Sequence, residues 1–118
     1  MRLENNLYKQ LDKVSTEDDK TISRIALQKS SDIYKGHFPG HPITPGAAIV
    51  QIAEELIGKK IIRLSNIKFL IPIIPEEETI LEFSFIIKDR QENSIKYEVI
   101  VNGINTTFAK LNIIVNND

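Results

Sequence analysis

The sequence predicts an α+β domain, one antiparallel sheet wrapped around one central helix. Three observations carry this. A single apolar helical segment, AAIVQIAEELIGKK, begins at Ala47. Four segments of alternating apolar and polar residues follow it. A run dense in glycine and proline, GHFPGHPITPG over residues 36–46, directly precedes it. Residues that repeat every 3.6 form one face of a helix, and residues that repeat every two form one face of a strand.

The chain has 118 residues with 42% hydrophobic and 26% charged, which fits one globular domain spanning 1–118. Fifteen basic against sixteen acidic residues give a net charge of −1. A sequence-independent grip on phosphates needs a basic surplus, so nucleic acid is not the expected partner. There are no cysteines, which removes disulfides, thiolate metal sites and a Cys nucleophile together. No apolar run approaches the roughly 18 residues that cross a bilayer, and the N-terminus lacks a signal-peptide core. A cytoplasmic protein without membrane insertion is expected.

Along the chain, Leu3, Leu7 and Leu11 are spaced at four, as in a short amphipathic helix. Leu11, Asp12, Lys13 and Val14 equally fit the start of an extended segment. Residues 21–28 set Ile25 and Leu27 against Arg24, Ala26 and Gln28, which predicts a strand. Residues 36–46 hold three of the five glycines and three of the five prolines. Proline lacks a donor and glycine lacks restraint, so this is a loop of fixed shape.

At about 100° per residue, Ile49, Val50, Ile52, Ala53, Leu56 and Ile57 share one broad arc. Gln51, Glu54 and Glu55 form a narrow stripe opposite. Thr44 is the expected N-cap with Pro45 at the first helical position. Gly58 with Lys59 and Lys60 is expected to end the helix after about three turns.

Beyond the helix, Ile67, Phe69 and Ile71 alternate with polar or mixed residues, and Glu76, Glu77 and Glu78 read as a solvated turn. Leu81, Phe83, Phe85 and Ile87 face one way, Glu82 and Ser84 the other. Ile95, Tyr97, Val99 and Val101 follow, then Ala109, Leu111, Ile113 and Val115. Asn102-Gly103 between the last two is a two-residue hairpin signal.

His37-Phe38-Pro39-Gly40-His41-Pro42-Ile43-Thr44-Pro45-Gly46 before an apolar helix resembles the signature of the hotdog-fold 3-hydroxyacyl-acyl-carrier-protein dehydratases. Phe69-Leu70-Ile71-Pro72-Ile73-Ile74-Pro75 is similar to that family's strand in which an aromatic precedes two prolines three apart. The resemblance runs from about residue 11 to 115. It implies a hotdog dimer that removes water from a 3-hydroxyacyl thioester to give the trans-2-enoyl thioester. No dissociable cofactor is implied, the substrate being carried on the phosphopantetheine of acyl carrier protein. The assembly implied is a homodimer or a larger set of dimers, or a heterodimer with a second hotdog protein.

Such a dehydration needs a base near neutral pH, an acid for the leaving oxygen and a fixed donor for the thioester carbonyl. The resemblance makes His37 the base and the Gly46 N–H the carbonyl donor. Near a helix start N–H groups lack internal partners and the dipole favours negative charge, and a glycine admits close approach. Phe38, Pro39, Pro45, Ala47 and Ala48 are implied to line the substrate tunnel. The family's catalytic Glu or Asp lies fourteen residues after the histidine, where this chain has Gln51. Glu55 stands four residues on, where the family carries Gln. Helical side chains lean toward the N-terminus, so the Glu55 carboxylate is placed to reach the level of Gln51 and serve as the acid. The alternative is that Gln51 orients the hydroxyl or a water while His37 handles both protons.

His37 and His41 are four apart, but Gly40 and Pro42 preclude the helix that would align them on a metal, and none is expected. His41 is expected to shape the loop. Acyl carrier protein is acidic, so Lys59, Lys60 and Arg63 are candidates for its docking. Two other classes remain. A thioesterase would activate water with Glu55 or Glu54 and release a free thiol. A catalytically silent subunit would bind the acyl chains of acyl carrier protein or complete a heterodimer with an active dehydratase.

Overall fold

The computed structural model describes residues 2–16, 19–35, 42–77 and 79–117. Strands β1 (Tyr8–Ser15) and β2 (Lys20–Leu27) precede a short 3-10 turn (Asp32–Tyr34) and helix α1 (Gly46–Ile57). Then come β3 (Ile61–Phe69), β4 (Ile80–Arg90), β5 (Ser94–Asn102) and β6 (Thr107–Asn116). The six strands form one sheet in the order β1-β2-β4-β5-β6-β3, every pair antiparallel. Among the described residues no helix is long and apolar enough to cross a membrane.

The alternating segments form the sheet centre because each has one face to bury. Leu81, Phe83 and Phe85 of β4, Val99 and Val101 of β5, and Leu111 and Ile113 of β6 are buried on one side. Ile49, Ile52, Ala53 and Leu56 of α1 join them in one core. Gly58 ends α1 with φ of 70°, a left-handed position suited to glycine, and its N–H donates to the Glu54 carbonyl at 3.1 Å. Ser84, expected to face out with Glu82, is buried. Its cross-strand neighbours Ile22 and Ile100 cover it on that face.

Four local expectations are corrected. The N-terminal leucines form no helix. Leu3 and Leu7 are buried through a single turn closed by the Leu7 N–H on the Leu3 carbonyl at 2.7 Å. Asn5, at φ 68°, turns the chain out of helical geometry, and β1 then carries Leu11 to the surface. Pro45, not Thr44, occupies the N-cap position, with no side-chain cap. Thr44 is buried and extended, donating its N–H to the Ile73 carbonyl at 2.9 Å. Strand β3 begins at Ile61 and ends before Ile71, whose N–H meets the Phe108 carbonyl at 3.3 Å. The β5–β6 chain reversal lies at Ile104 and Asn105, two residues after the expected turn, with the Gly103 N–H on the Thr106 carbonyl at 2.7 Å. An irregular register beside Val101 and Asn102 accommodates the shift.

Candidate active site

The glycine- and proline-rich segment follows the 3-10 turn in sequence, and its described part begins at Pro42. His37, Phe38, Pro39, Gly40 and His41 lie outside the described residues, so their expected roles are not placed by the structure. The two stems of the loop are placed. The Tyr34 hydroxyl and Thr44 Oγ1 are 2.9 Å apart in the interior, a link across ten residues. Burial pushes the Tyr34 phenol above its ordinary pKa, so it stays protonated and able to donate. Ser31 accepts from the Ile33 N–H at 3.3 Å and donates to Asn6 Oδ1 at 2.7 Å, fixing the turn before the loop.

The second stem runs straight into α1. Pro45 at φ −63° and ψ 145° sets the entry, and Gly46 is the first helical residue. The first N–H groups of a helix have no intrahelical acceptor. Ala48 and Ile49 donate to the Pro45 carbonyl at 3.0 and 3.2 Å, whereas the Gly46 N–H donates to no described residue. The absence of a side chain here has a structural cause. A Cβ on Gly46 would lie 2.7 Å from Cζ and 2.8 Å from Cε2 of Phe69, which ends β3. The expectation that glycine admits substrate is thus joined by a second requirement, room for this ring. Ala47 is exposed and Ala48 buried.

The polar stripe continues into Gln51, Glu54 and Glu55, all half-buried. Glu54 Oε2 accepts the Ile61 N–H at 2.9 Å and so fixes the start of β3. Glu55 accepts four hydrogen bonds. Oε2 takes the Leu3 N–H at 2.7 Å and Gln51 Nε2 at 3.0 Å. Oε1 takes the Glu4 N–H at 2.9 Å and the Tyr8 hydroxyl at 3.0 Å. Burial pushes the Glu55 pKa up, but the Leu3 N–H, Gln51, Tyr8 and the Glu4 N–H together outweigh it. The carboxyl is held below its ordinary value. The Tyr8 phenol is raised, first by burial and then by its bond to Glu55. At neutral pH this pair is a carboxylate and a neutral phenol.

Gln51, Glu55, Lys59 and Lys60 border one open cleft of about 410 Å³, together with Arg2. Arg63, on exposed β3, is not among its lining residues. Lys59 Nζ donates to Asn117 Oδ1 at 2.9 Å. Sequence reasoning missed Tyr34, Tyr8, Arg2 and the N-terminal main chain. Main-chain N–H groups carry no residue signature, and Glu55 meets Leu3 across 52 positions.

The chain matches the ApeI-like family, described as ApeI dehydratase, over residues 13–110. It is 30% identical over 93 residues to the 3-hydroxyacyl-acyl-carrier-protein dehydratase FabZ of Geotalea uraniireducens (strain Rf4), covering 66% of this chain and 64% of that protein. The enzyme of the same name from Wolbachia sp. subsp. Drosophila simulans (strain wRi) is 37% identical over 76 residues, covering 53% and 52%. The chain thus spans between about half and two thirds of these relatives' lengths. Among solved structures, the dehydratase heterocomplex ApeI:P from Xenorhabdus doucetiae superposes at a TM-score of 0.71 and 16% identity, covering 92% of this chain and 96% of that one. The smu.793 protein of Streptococcus mutans UA159, bound to acetyl CoA, gives 0.69 at 16% identity, covering 91% and 87%. These likenesses establish the hotdog fold.

Proposed function

Because this chain belongs to the ApeI-like dehydratase family, we propose that it dehydrates a 3-hydroxyacyl thioester carried on acyl carrier protein. The observation that carries the reading is the helix start. The Gly46 N–H, without a described acceptor, opens α1 as the last residue of HFPGHPITPG. In the reaction, His37 takes the α proton and the electron pair forms the Cα–Cβ double bond. The Cβ–O bond breaks, and the oxygen leaves as water with the proton returned by the imidazolium. The Gly46 N–H stabilises the charge that builds on the thioester carbonyl during proton removal. Gln51 orients the 3-hydroxyl. Glu55, an anion occupied by four donors, supports an anchoring role rather than that of acid.

The working unit is a dimer. Strand β3 is an open sheet edge bearing exposed Ile62, Leu64, Ile67 and Phe69, with Leu70 and Ile71 just beyond. Pairing of two such edges would satisfy free backbone groups and cover apolar surface. Phe38, Pro39, Pro45, Ala47 and Ala48 would line the acyl tunnel at that interface. Lys59, Lys60 and Arg63 would meet the acidic carrier.

A second reading is favoured by the same Gln51. A subunit without its own carboxylic acid could serve as the acyl-binding member of a heterocomplex with a second hotdog protein. Hydrolysis has less support, since Glu54 and Glu55 both hold main-chain N–H groups. Single-turnover mass spectrometry with 3-hydroxyacyl carrier protein of several chain lengths separates the three. Loss of one water supports the dehydratase, release of the free carrier thiol supports the thioesterase, and no change supports the silent subunit.

A further inference from the structure

The chain that enters α1 is pinned from two sides. Tyr34 and Thr44, 5% and 4% exposed, place their hydroxyls 2.9 Å apart in the interior. The Thr44 N–H donates to the carbonyl of buried Ile73 at 2.9 Å. Side chain and main chain of one residue are thus held by different segments, the 3-10 turn and the stretch after β3. Two buried hydroxyls are not needed for stability, since an apolar pair of the same shape fills such space at little cost. What the pair adds is direction, because a hydrogen bond fixes an orientation that apolar contact leaves open. Between Thr44 and the Gly46 N–H stands only Pro45, whose ring locks φ, here at −63°. The residue before a proline is itself confined to extended backbone. Little torsional freedom remains, so the setting of Thr44 is carried through the ring to the first N–H of the helix. That N–H has no described acceptor, whereas those of Ala48 and Ile49 are spent on the Pro45 carbonyl.

Resting on the dehydratase reading, we propose that Tyr34, through its hydrogen bond to Thr44, aims the Gly46 N–H at the thioester carbonyl. Tyr34 lies in the core and acts only through Thr44, so it is a positioning residue. The need for it is chemical. Negative charge grows on that carbonyl as the α proton leaves, and a donor stabilises it best when already aimed. A donor that must first be turned into place gives up part of that stabilisation. The loss falls on the transition state more than on the bound substrate, so the bond acts on kcat more than on KM.

The test uses the full chain with Tyr34→Phe and Thr44→Val, which remove the bond and keep the shape. Thr44→Ser, which keeps the hydroxyl, stands beside them. Two readouts are taken. One is turnover of 3-hydroxyacyl carrier protein, split into kcat and KM. The other is the isotope-edited infrared stretch of the bound carbonyl in S-octanoyl pantetheine, a saturated thioester with no water to lose. Tyr34→Phe and Thr44→Val should each lower kcat about tenfold, with KM within about twofold. That is part of the roughly 10²–10³ lost when such a donor is deleted. The stretch should rise in both, as for a carbonyl whose hydrogen bond weakens. The double variant should be no slower than either single one, because both changes break the same bond. Thr44→Ser should match wild type in both readouts. Lower stability with kcat and the stretch unmoved would make the bond purely structural and overturns the proposal. If Tyr34→Phe does not fold, Thr44→Val beside Thr44→Ser decides, and failure of both apolar variants to fold overturns it too. Wild type that never loses water, yet shows the stretch and its rise in Tyr34→Phe, upholds the aiming of Gly46 and sinks the dehydratase reading.

Discussion

At the N-terminal end of α1, Gly46 offers an N–H without a described acceptor under the ring of Phe69. At the C-terminal end, Glu54 and Glu55 commit their carboxylates to main-chain N–H groups of β3 and of the N-terminal turn. Among the described residues, one end has a donor without an acceptor and the other has carboxylates bonded to main-chain donors. The contrast runs along a helix of twelve residues, from the proposed carbonyl donor to carboxylates that anchor neighbouring main chain. A carboxylate near a candidate site is a candidate acid only while it has a proton to give. Four donors on the Glu55 carboxylate favour its anion.

The sharpest way to break the contrast is at the chemical end. His37→Ala should leave melting behaviour unchanged and lower turnover by about 10²–10⁴, the range for losing a general base. Unchanged turnover would remove the base assignment. At the anchoring end, Glu55→Ala leaves four donors without their acceptor. It should cost about 2–3 kcal/mol in a urea titration, the scale of stranding groups bonded to a charge. A loss of activity without loss of stability would instead return Glu55 to the chemistry.

Gly46→Ala tests the close packing between the two ends. The added methyl must displace the Phe69 ring, which is 52% exposed and can swing outward. The expected cost is about 1 kcal/mol, relieved when Phe69→Ala is added. A cost that persists in the double variant would place the constraint in the backbone. The smallest effect is on pH. The Glu55 pKa is lower folded than its ordinary 4.5, so the unfolded chain binds the proton more tightly. Its contribution is therefore full above 4.5 and lost as pH falls through the folded value. Glu55→Gln should flatten the acid limb of the stability curve, and an unchanged limb would refute the anchoring charge.

The same contrast explains how far the sequence could be read. Strands β4, β5 and β6 were legible because Phe83, Val99 and Leu111 each sit in an alternating apolar pattern whose apolar side is buried, though Ser84 is buried on the other face of β4. Strand β1 was not, since it buries only Tyr8 and leaves the next seven residues exposed. Thr44 before Pro45 follows the statistics of a cap, but its hydroxyl is engaged by Tyr34 in the interior. The N-terminal end of α1 was marked in the sequence by Gly46 and the glycine- and proline-rich run before it. The anchoring end was not, because two of the four groups that hold Glu55 are backbone N–H.

The most direct measurement is single-turnover mass spectrometry of wild type and Glu55→Gln with 3-hydroxyacyl carrier protein. The account predicts loss of one water by wild type, and the same product from folded Glu55→Gln slowed by about tenfold, as for an anchoring residue. No water lost by wild type, or slowing beyond about a hundredfold in folded Glu55→Gln as for a missing general acid, would contradict it.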